Sequence, residues 1–183
     1  MIEIKKIGVV GAGQMGRGIA QVAAMSGYQV CLYDVDADGL QTAINFIQQQ
    51  MDGGVAKQKW DQLHVDQTMG LIFSTTELDV LSDCDLLIEA ATENKKIKFE
   101  IFKQLDAMAK RDAILATNTS SISITEIAAV TRRPENVVGM HFMNPVPVMK
   151  LVEGIRGLET SESIFDAVEE VSLRMGKTFI KVN

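Results

Sequence analysis

Cysteine is scarce in this chain: Cys31 and Cys84 are the only two among 183 residues. Both lie in apolar stretches and form no C-x-x-C pair, which suggests neither a zinc site nor a disulfide framework and reads as buried thiols in a reducing compartment. Positive charge is not in excess either. Eighteen Lys and Arg against 24 Asp and Glu give a net charge of −6, so there is no general basic surface to neutralise a phosphate backbone, and nucleic acid is not an expected partner. No apolar run approaches the roughly 18 residues needed to span a bilayer, and Met1-Ile2-Glu3 carries no charged lead or apolar leader core. The reading is a cytoplasmic protein without a membrane partner. What the sequence does have is 46% hydrophobic and 23% charged residues, the balance of a globular chain, in a length that suits one domain of the usual size of about 100 to 200 residues.

Short β-branched runs alternate with longer helical patterns, the sequence form of βαβ units around a mostly parallel sheet. Ile7-Gly8-Val9-Val10 is the first strand, a helix is expected from Met15 to Met25 with Gly27 as its C-terminal cap, and Gln29 to Tyr33 is the second strand. Leu40, Ile44, Ile47 and Met51 share one helical face. Gly53-Gly54 is expected to break that helix, and a polar stretch with Lys57, Lys59 and Trp60 to lead into a strand at Leu71 to Ser74. Asp85 to Ala91 reads as a strand buried on both faces. Ile97, Ile101, Leu105 and Met108 mark a helix, Ala113 to Ala116 a strand, and Ile122 to Val130 a short helix. Val137 to Phe142 and Lys150 to Ile155, joined by Asn144-Pro145-Val146-Pro147, imply an antiparallel pair. A helix from Ile164 to Met175 and a strand from Thr178 to Val182 complete the pattern.

Gly11-Ala12-Gly13-Gln14-Met15-Gly16 fits G-x-G-x-x-G, a weak pattern alone but a strong one between a strand and a helix. In that setting Gly11 permits the tight turn, Gly13 lets a pyrophosphate approach the backbone, Gly16 lets helix and sheet pack closely, and the helix dipole faces the phosphates with Gln14 and Met15 in its first turn. Asp34 ends the second strand where a carboxylate can accept both adenosine-ribose hydroxyls. With Asp36 and Asp38 nearby and no Arg close in sequence, the preferred cofactor is NAD rather than NADP. The fold class read from these signals is α/β, a Rossmann-type doubly wound sheet, mostly parallel with antiparallel strands near the C-terminus.

Two further segments are hard to explain as scaffold: Asn118-Thr119-Ser120-Ser121 beyond a parallel strand, and Gly139 through Glu153, reading GMHFMNPVPVMKLVE. With the glycine loop and Glu93-Asn94-Lys95-Lys96-Ile97-Lys98 they appear in the order found in the 3-hydroxyacyl-CoA dehydrogenase family, which the chain resembles along its whole length. The resemblance implies NAD-dependent oxidation of a 3-hydroxyacyl-CoA to the 3-oxoacyl-CoA, or the reverse, within fatty-acid metabolism. It implies His141 as catalytic base, Glu153 as the carboxylate that orients it, and Ser120 and Asn144 as hydrogen-bonding groups for the substrate oxygen and the nicotinamide end of the cofactor. It further implies cofactor contacts from Glu93 and Lys98, and a coenzyme A contact from Lys57, whose ammonium suits phosphates. If the strands fold back about Pro147, His141 and Glu153 fall directly opposite one another. A carboxylate on one imidazole nitrogen fixes the tautomer and leaves the other nitrogen to take a hydroxyl proton. Met143 stands where the family more often has phenylalanine, which keeps apolar bulk.

The family continues beyond a strand like Phe179 to Asn183 into a helical domain that dimerises and covers the acyl-CoA. Residues 1–183 are therefore expected to be the NAD-binding domain carrying the His/Glu pair, of low activity by itself, with a homodimer for the full-length enzyme. Two other readings compete: a non-catalytic NAD-binding sensor or crystallin-like relative on the same scaffold, and a dehydrogenase of free hydroxy acids using Arg132 or Arg133 as anion binder. Retention of His141, Glu153, Ser120 and Asn144 together counts against the first. The second is weakened because both arginines precede Pro134 in an expected surface loop.

Overall fold

The structure, a computed structural model, describes residues 2–182. In chain order the elements are β1 (Lys6–Val10), α1 (Gln14–Met25), β2 (Gln29–Tyr33), α2 (Ala37–Ala56), α3 (Gln62–Gly70), β3 (Ile72–Thr75), β4 (Leu86–Glu89), α4 (Lys95–Met108), β5 (Ile114–Thr117), α5 (Ile124–Ala128), β6 (Val137–Phe142), β7 (Leu151–Arg156), α6 (Glu162–Arg174) and β8 (Thr178–Val182), with short 3-10 turns at Leu78–Asp83 and Pro134–Asn136. Among the described residues, eight strands form one sheet in the order β3-β2-β1-β4-β5-β6-β7-β8. Every neighbouring pair is parallel except β6 with β7. The order reverses between β1 and β4, and in open α/β sheets the crevice at such a switch point, outside the carboxyl ends of the strands, is where ligands bind.

Side-chain alternation along the strands builds two cores. Ile7, Val9, Leu86, Ile88, Ile114, Ala116, Val138, Met140 and Phe142 face α1, α2, α3 and α6. Val10, Cys31, Leu87, Leu115 and Val137 face α4, α5 and the 3-10 turn around Leu81. Both cysteines are free and buried. Burial drives the Cys84 thiol up to about 12, so it stays an inert thiol.

Two local expectations fail, each for its own reason. Gly53-Gly54 does not end the second helix, which runs unbroken to Ala56. Instead, a Cβ at Gly54 would sit 2.1 Å from the Trp60 ring, so the glycine clears a seat for the indole, whose Nε1–H donates to the Met51 carbonyl at 2.8 Å. The polar stretch that follows is also not a plain connector. Asp61 caps a helix there by accepting from the His64 backbone N–H at 2.9 Å, and Val65 and Thr68 provide its narrow buried face. With so few apolar positions, its periodicity is not visible in sequence.

Candidate active site

The glycine loop leaves β1 at the switch point. Gly11 has φ +104°, and a Cβ there would lie 2.7 Å from Ala91 Cα and 2.8 Å from the Ala90 carbonyl oxygen, so the loop after β4 closes directly against it. A Cβ on Gly16 would fall 1.7 Å from the Gly11 carbonyl oxygen, which is why α1 can pack so close to the loop that precedes it. Gly13 is different, because a Cβ there meets nothing within 4 Å. It occupies the N-cap of α1 and supplies no capping side chain, whereas α2, α3, α4, α5 and α6 are capped by Asp36, Asp61, Asn94, Ser123 and Ser161. The start of α1 thus presents backbone N–H groups and the positive end of its dipole to open space, a cradle suited to a pyrophosphate.

Asp34 is drawn toward this loop. Its Oδ2 accepts from the Ala12 N–H at 2.8 Å and its Oδ1 from the Asp36 N–H at 3.0 Å, leaving each oxygen capacity for another donor. Beside it lies a cleft of about 280 Å³ lined by Gly11, Asp34, Val35, Ala91, Thr92 and Ile97 among others. Val35 and Ile97 are exposed apolar groups on this cleft, 80% and 53% accessible, the kind of walls a flat heteroaromatic ring packs between.

Across the sheet's carboxyl edge, β6 sends Val138, Met140 and Phe142 into one core and turns His141 to the other face. The antiparallel register sets His141 opposite Glu153, and His141 Nδ1 lies 2.9 Å from Glu153 Oε2. The pair is part-exposed, with side-chain accessibilities of 22% and 35%, so the other ring nitrogen can reach a solute while Nδ1 is held. Asn118 Oδ1 accepts from the Phe142 N–H at 2.9 Å, tying the end of β6 to the loop that bears Ser120. Ser120 and Asn144 are both exposed, on the loops after β5 and β6. Glu93 closes the middle of this edge, accepting from Thr119 Oγ1 at 2.8 Å and Ser121 Oγ at 3.2 Å.

Lys98 stands apart from the other residues singled out in the sequence. It is 1% exposed, and its ammonium is paired with Glu89 and lies 3.3 Å from Thr117 Oγ1. Lys57 is exposed at the C-cap of α2 and lines a second cleft of about 220 Å³ with Lys59, Trp60, Pro147 and Val148. That cleft adjoins the same β6–β7 turn that carries Asn144. Arg132 and Arg133 do not face the edge with His141. Both contact Asp106, at 3.1 and 2.7 Å, and Arg133 also donates to the Lys110 carbonyl, so Arg133 is drawn into the fold while Arg132 stays largely exposed beside it. Sequence reasoning missed Asn118, Glu89, Thr117 and Thr119. Asn118 and Thr119 lie within a segment flagged for Ser120, whereas Glu89 and Thr117 are terminal residues of apolar strands with no pattern of their own.

Comparison with known proteins agrees with this geometry. Residues 6–183 match the family model described as the 3-hydroxyacyl-CoA dehydrogenase NAD binding domain. The chain is 48% identical over 174 residues to a 3-hydroxybutyryl-CoA dehydrogenase of Bradyrhizobium diazoefficiens, covering 95% of this chain and 59% of that protein. It is 48% identical over 182 residues to a probable 3-hydroxybutyryl-CoA dehydrogenase of Bacillus subtilis, covering 100% of this chain and 63% of that one. The solved (S)-3-hydroxybutyryl-CoA dehydrogenase of Ralstonia eutropha superposes with a TM-score of 0.97 at 44% identity, over 98% of this chain and 64% of that chain. The 183 residues thus span about three fifths of these relatives. With the glycine loop at the switch point and the match running through the His141–Glu153 hairpin, the chain belongs to the 3-hydroxyacyl-CoA dehydrogenase family, as its NAD-binding domain.

Proposed function

We propose that this chain provides the cofactor-binding and proton-transferring part of an NAD-dependent dehydrogenase that interconverts 3-hydroxyacyl-CoA and 3-oxoacyl-CoA, with 3-hydroxybutyryl-CoA as the model substrate. The observation that carries the reading is the His141–Glu153 pair at 2.9 Å, on the sheet edge that also holds the glycine loop. The substrate class rests on the relatives, whose names specify it.

The residues present fit NAD. Gly11, Ala12, Gly13 and the first turn of α1, with Gln14, Met15 and Gly16, would hold the pyrophosphate. Asp34 would take the adenosine ribose, and Glu93, Ser120 and Asn144 would stand toward the nicotinamide end. A 2′-phosphate would meet the Asp34 carboxylate, with Asp36 and Asp38 close behind, which disfavours NADP. When bound, the cofactor supplies the hydride acceptor for oxidation or the donor for reduction.

The chain's own work is proton transfer and orientation. Glu153 receives the Nδ1–H of His141, which fixes the tautomer and leaves Nε2 as the basic nitrogen toward the substrate. From there His141 removes the 3-hydroxyl proton, or returns it in the reverse direction. Ser120 and Asn144 hydrogen-bond the substrate oxygen and the cofactor amide. Lys57 meets the phosphates of coenzyme A from the neighbouring cleft. The test is NADH binding measured beside turnover of acetoacetyl-CoA. His141→Ala is expected to keep NADH affinity and to lose roughly 10²- to 10⁴-fold in rate, the usual contribution of a positioned base. A variant turning over within a few-fold of wild type would remove His141 from the reaction.

A further inference from the structure

Glu89 is a fully buried carboxylate, 0% exposed, and the proposed chemistry makes no use of it. It ends β4 beneath the loop that lines the cleft beside Asp34 and next to the loop after β5 that bears Ser120. Its Oε1 accepts from the backbone N–H groups of Ala91 at 2.8 Å and Thr92 at 3.3 Å. Its Oε2 accepts from Thr117 Oγ1 at 2.9 Å and pairs with the buried ammonium of Lys98. We infer that Glu89 is a positioning residue: it sets the loop after β4 against the glycine loop and, through Thr117, the loop after β5.

The consequences can be followed bond by bond. Curling the Ala91 and Thr92 amides onto Oε1 puts the Ala90 carbonyl and Ala91 Cα within 2.9 Å of where a Gly11 Cβ would be, so this turn is the wall that shapes the glycine loop. Ala91 and Thr92 also line the cleft beside Asp34. On the other side, Thr117 Oγ1 accepts from the Thr119 N–H at 3.3 Å, and Thr119 Oγ1 accepts from the Ser121 and Ile122 N–H groups while donating to Glu93. One carboxylate therefore anchors the loop that lines the cleft and, through Thr117, the loop that bears Ser120. Stability alone is a poor reason to keep it, since buried ion pairs are often matched or bettered by well-packed apolar residues of similar volume. An apolar pair would leave the Ala91 and Thr92 amides and the Thr117 hydroxyl without their acceptor, and the turn would relax outward to find water.

The inference rests on the NAD reading, and the test separates the two. Two double variants both lack the Lys98 charge and differ only at position 89. In Glu89→Gln with Lys98→Met, the amide oxygen still accepts from Ala91 and Thr92 and the amide nitrogen donates to Thr117 Oγ1. In Glu89→Leu with Lys98→Met, packing is kept and the acceptor is lost. NADH dissociation constants of the 183-residue chain are measured by calorimetry with melting temperatures alongside. The expected result is at least a tenfold weaker NADH affinity for the Leu variant than for the Gln variant, with faster amide hydrogen exchange at Ala91 and Thr92. Equal affinities in the two would overturn the inference. Should the Leu variant not fold, Glu89→Asp, which keeps the charge but withdraws the acceptor by one methylene, is expected to weaken NADH at least threefold. Unchanged affinity and exchange in that variant would equally overturn it. Failure of the wild-type chain to bind NADH at all would sink the cofactor reading, and this inference with it.

Discussion

Replacing Gly13 and Gly16 separately by alanine distinguishes a cofactor cradle from an ordinary tight turn. At Gly16 the added Cβ would be 1.7 Å from the Gly11 carbonyl oxygen, about half of an ordinary contact, and the obstructing atom is backbone. Helix α1 must move off the loop by more than an ångström, and overpacking of this kind costs about 1–3 kcal/mol, occasionally more. At Gly13 the Cβ enters open space and the backbone, at φ −69° and ψ −168°, is one alanine adopts freely. Alanine is the poorer N-cap by something under about 1 kcal/mol, while the stiffer unfolded chain returns about 0.4–1 kcal/mol, so Gly13→Ala is expected to leave stability nearly unchanged. Yet the methyl group would project from the N-cap of α1 into the open space where the pyrophosphate is proposed to lie. Urea unfolding of both variants, with NADH titration by fluorescence, should show Gly16→Ala losing stability and binding together, and Gly13→Ala losing at least tenfold in NADH affinity at near wild-type stability. Unaltered binding in Gly13→Ala would refute the cradle, and unaltered stability in Gly16→Ala would refute the packing argument.

Three further outcomes are expected. Asp34→Ala should weaken NADH several-fold and narrow its advantage over NADPH, because the ribose acceptor and the hold on Ala12 go together; calorimetry with both cofactors checks this. Glu153→Gln should cut turnover of acetoacetyl-CoA by tenfold or more with NADH affinity retained, since the imidazole loses the carboxylate that fixes its tautomer; steady-state rates beside binding decide it. Burial alone would raise the Asp106 carboxyl, but the Arg132 N–H and the two guanidinium groups outweigh it and hold the group below the usual carboxylate range. A depressed carboxyl stabilises the fold above its unfolded value of about 3.9 and loses that contribution as pH falls through the folded value. Asp106→Asn should therefore flatten the acid limb of the stability–pH curve, read from urea midpoints at pH 2 to 6.

Where the sequence was legible, the signal was local and periodic. The strand-loop-helix setting of Gly11 to Gly16 located the glycine loop between β1 and α1 without any tertiary information, and the apolar alternation of β6 together with the Pro147 turn put His141 opposite Glu153, as the register has it. Helix α3 was hidden because only Val65 and Thr68 face inward. Gly54 misled because its absent side chain serves Trp60, a contact between residues that share no pattern. The pairing of Glu89 with Lys98, which the family resemblance had pointed at the cofactor, was illegible for a third reason. A carboxylate at the end of an apolar strand and an ammonium in a helix's first turn look solvated in sequence, and only the close approach of α4 to the ends of β4 and β5 makes them partners. Arg133 repeats the lesson: expected in a surface loop, it is drawn in by Asp106 and carbonyls from the end of α4 onward.

If the cleft beside Asp34 and the His141–Glu153 pair serve one reaction on one sheet edge, hydride leaves the cofactor for the carbon whose oxygen His141 protonates. The most direct test follows the transferred atom. NADH carrying deuterium at the transferable C4 position is incubated with acetoacetyl-CoA and the chain, and the product is read by mass spectrometry. The expected product is 3-hydroxybutyryl-CoA with deuterium at C3 from the wild-type chain, and none above background from His141→Ala at equal NADH occupancy. Absence of label with the wild type, or equal labelling with the variant, would contradict it.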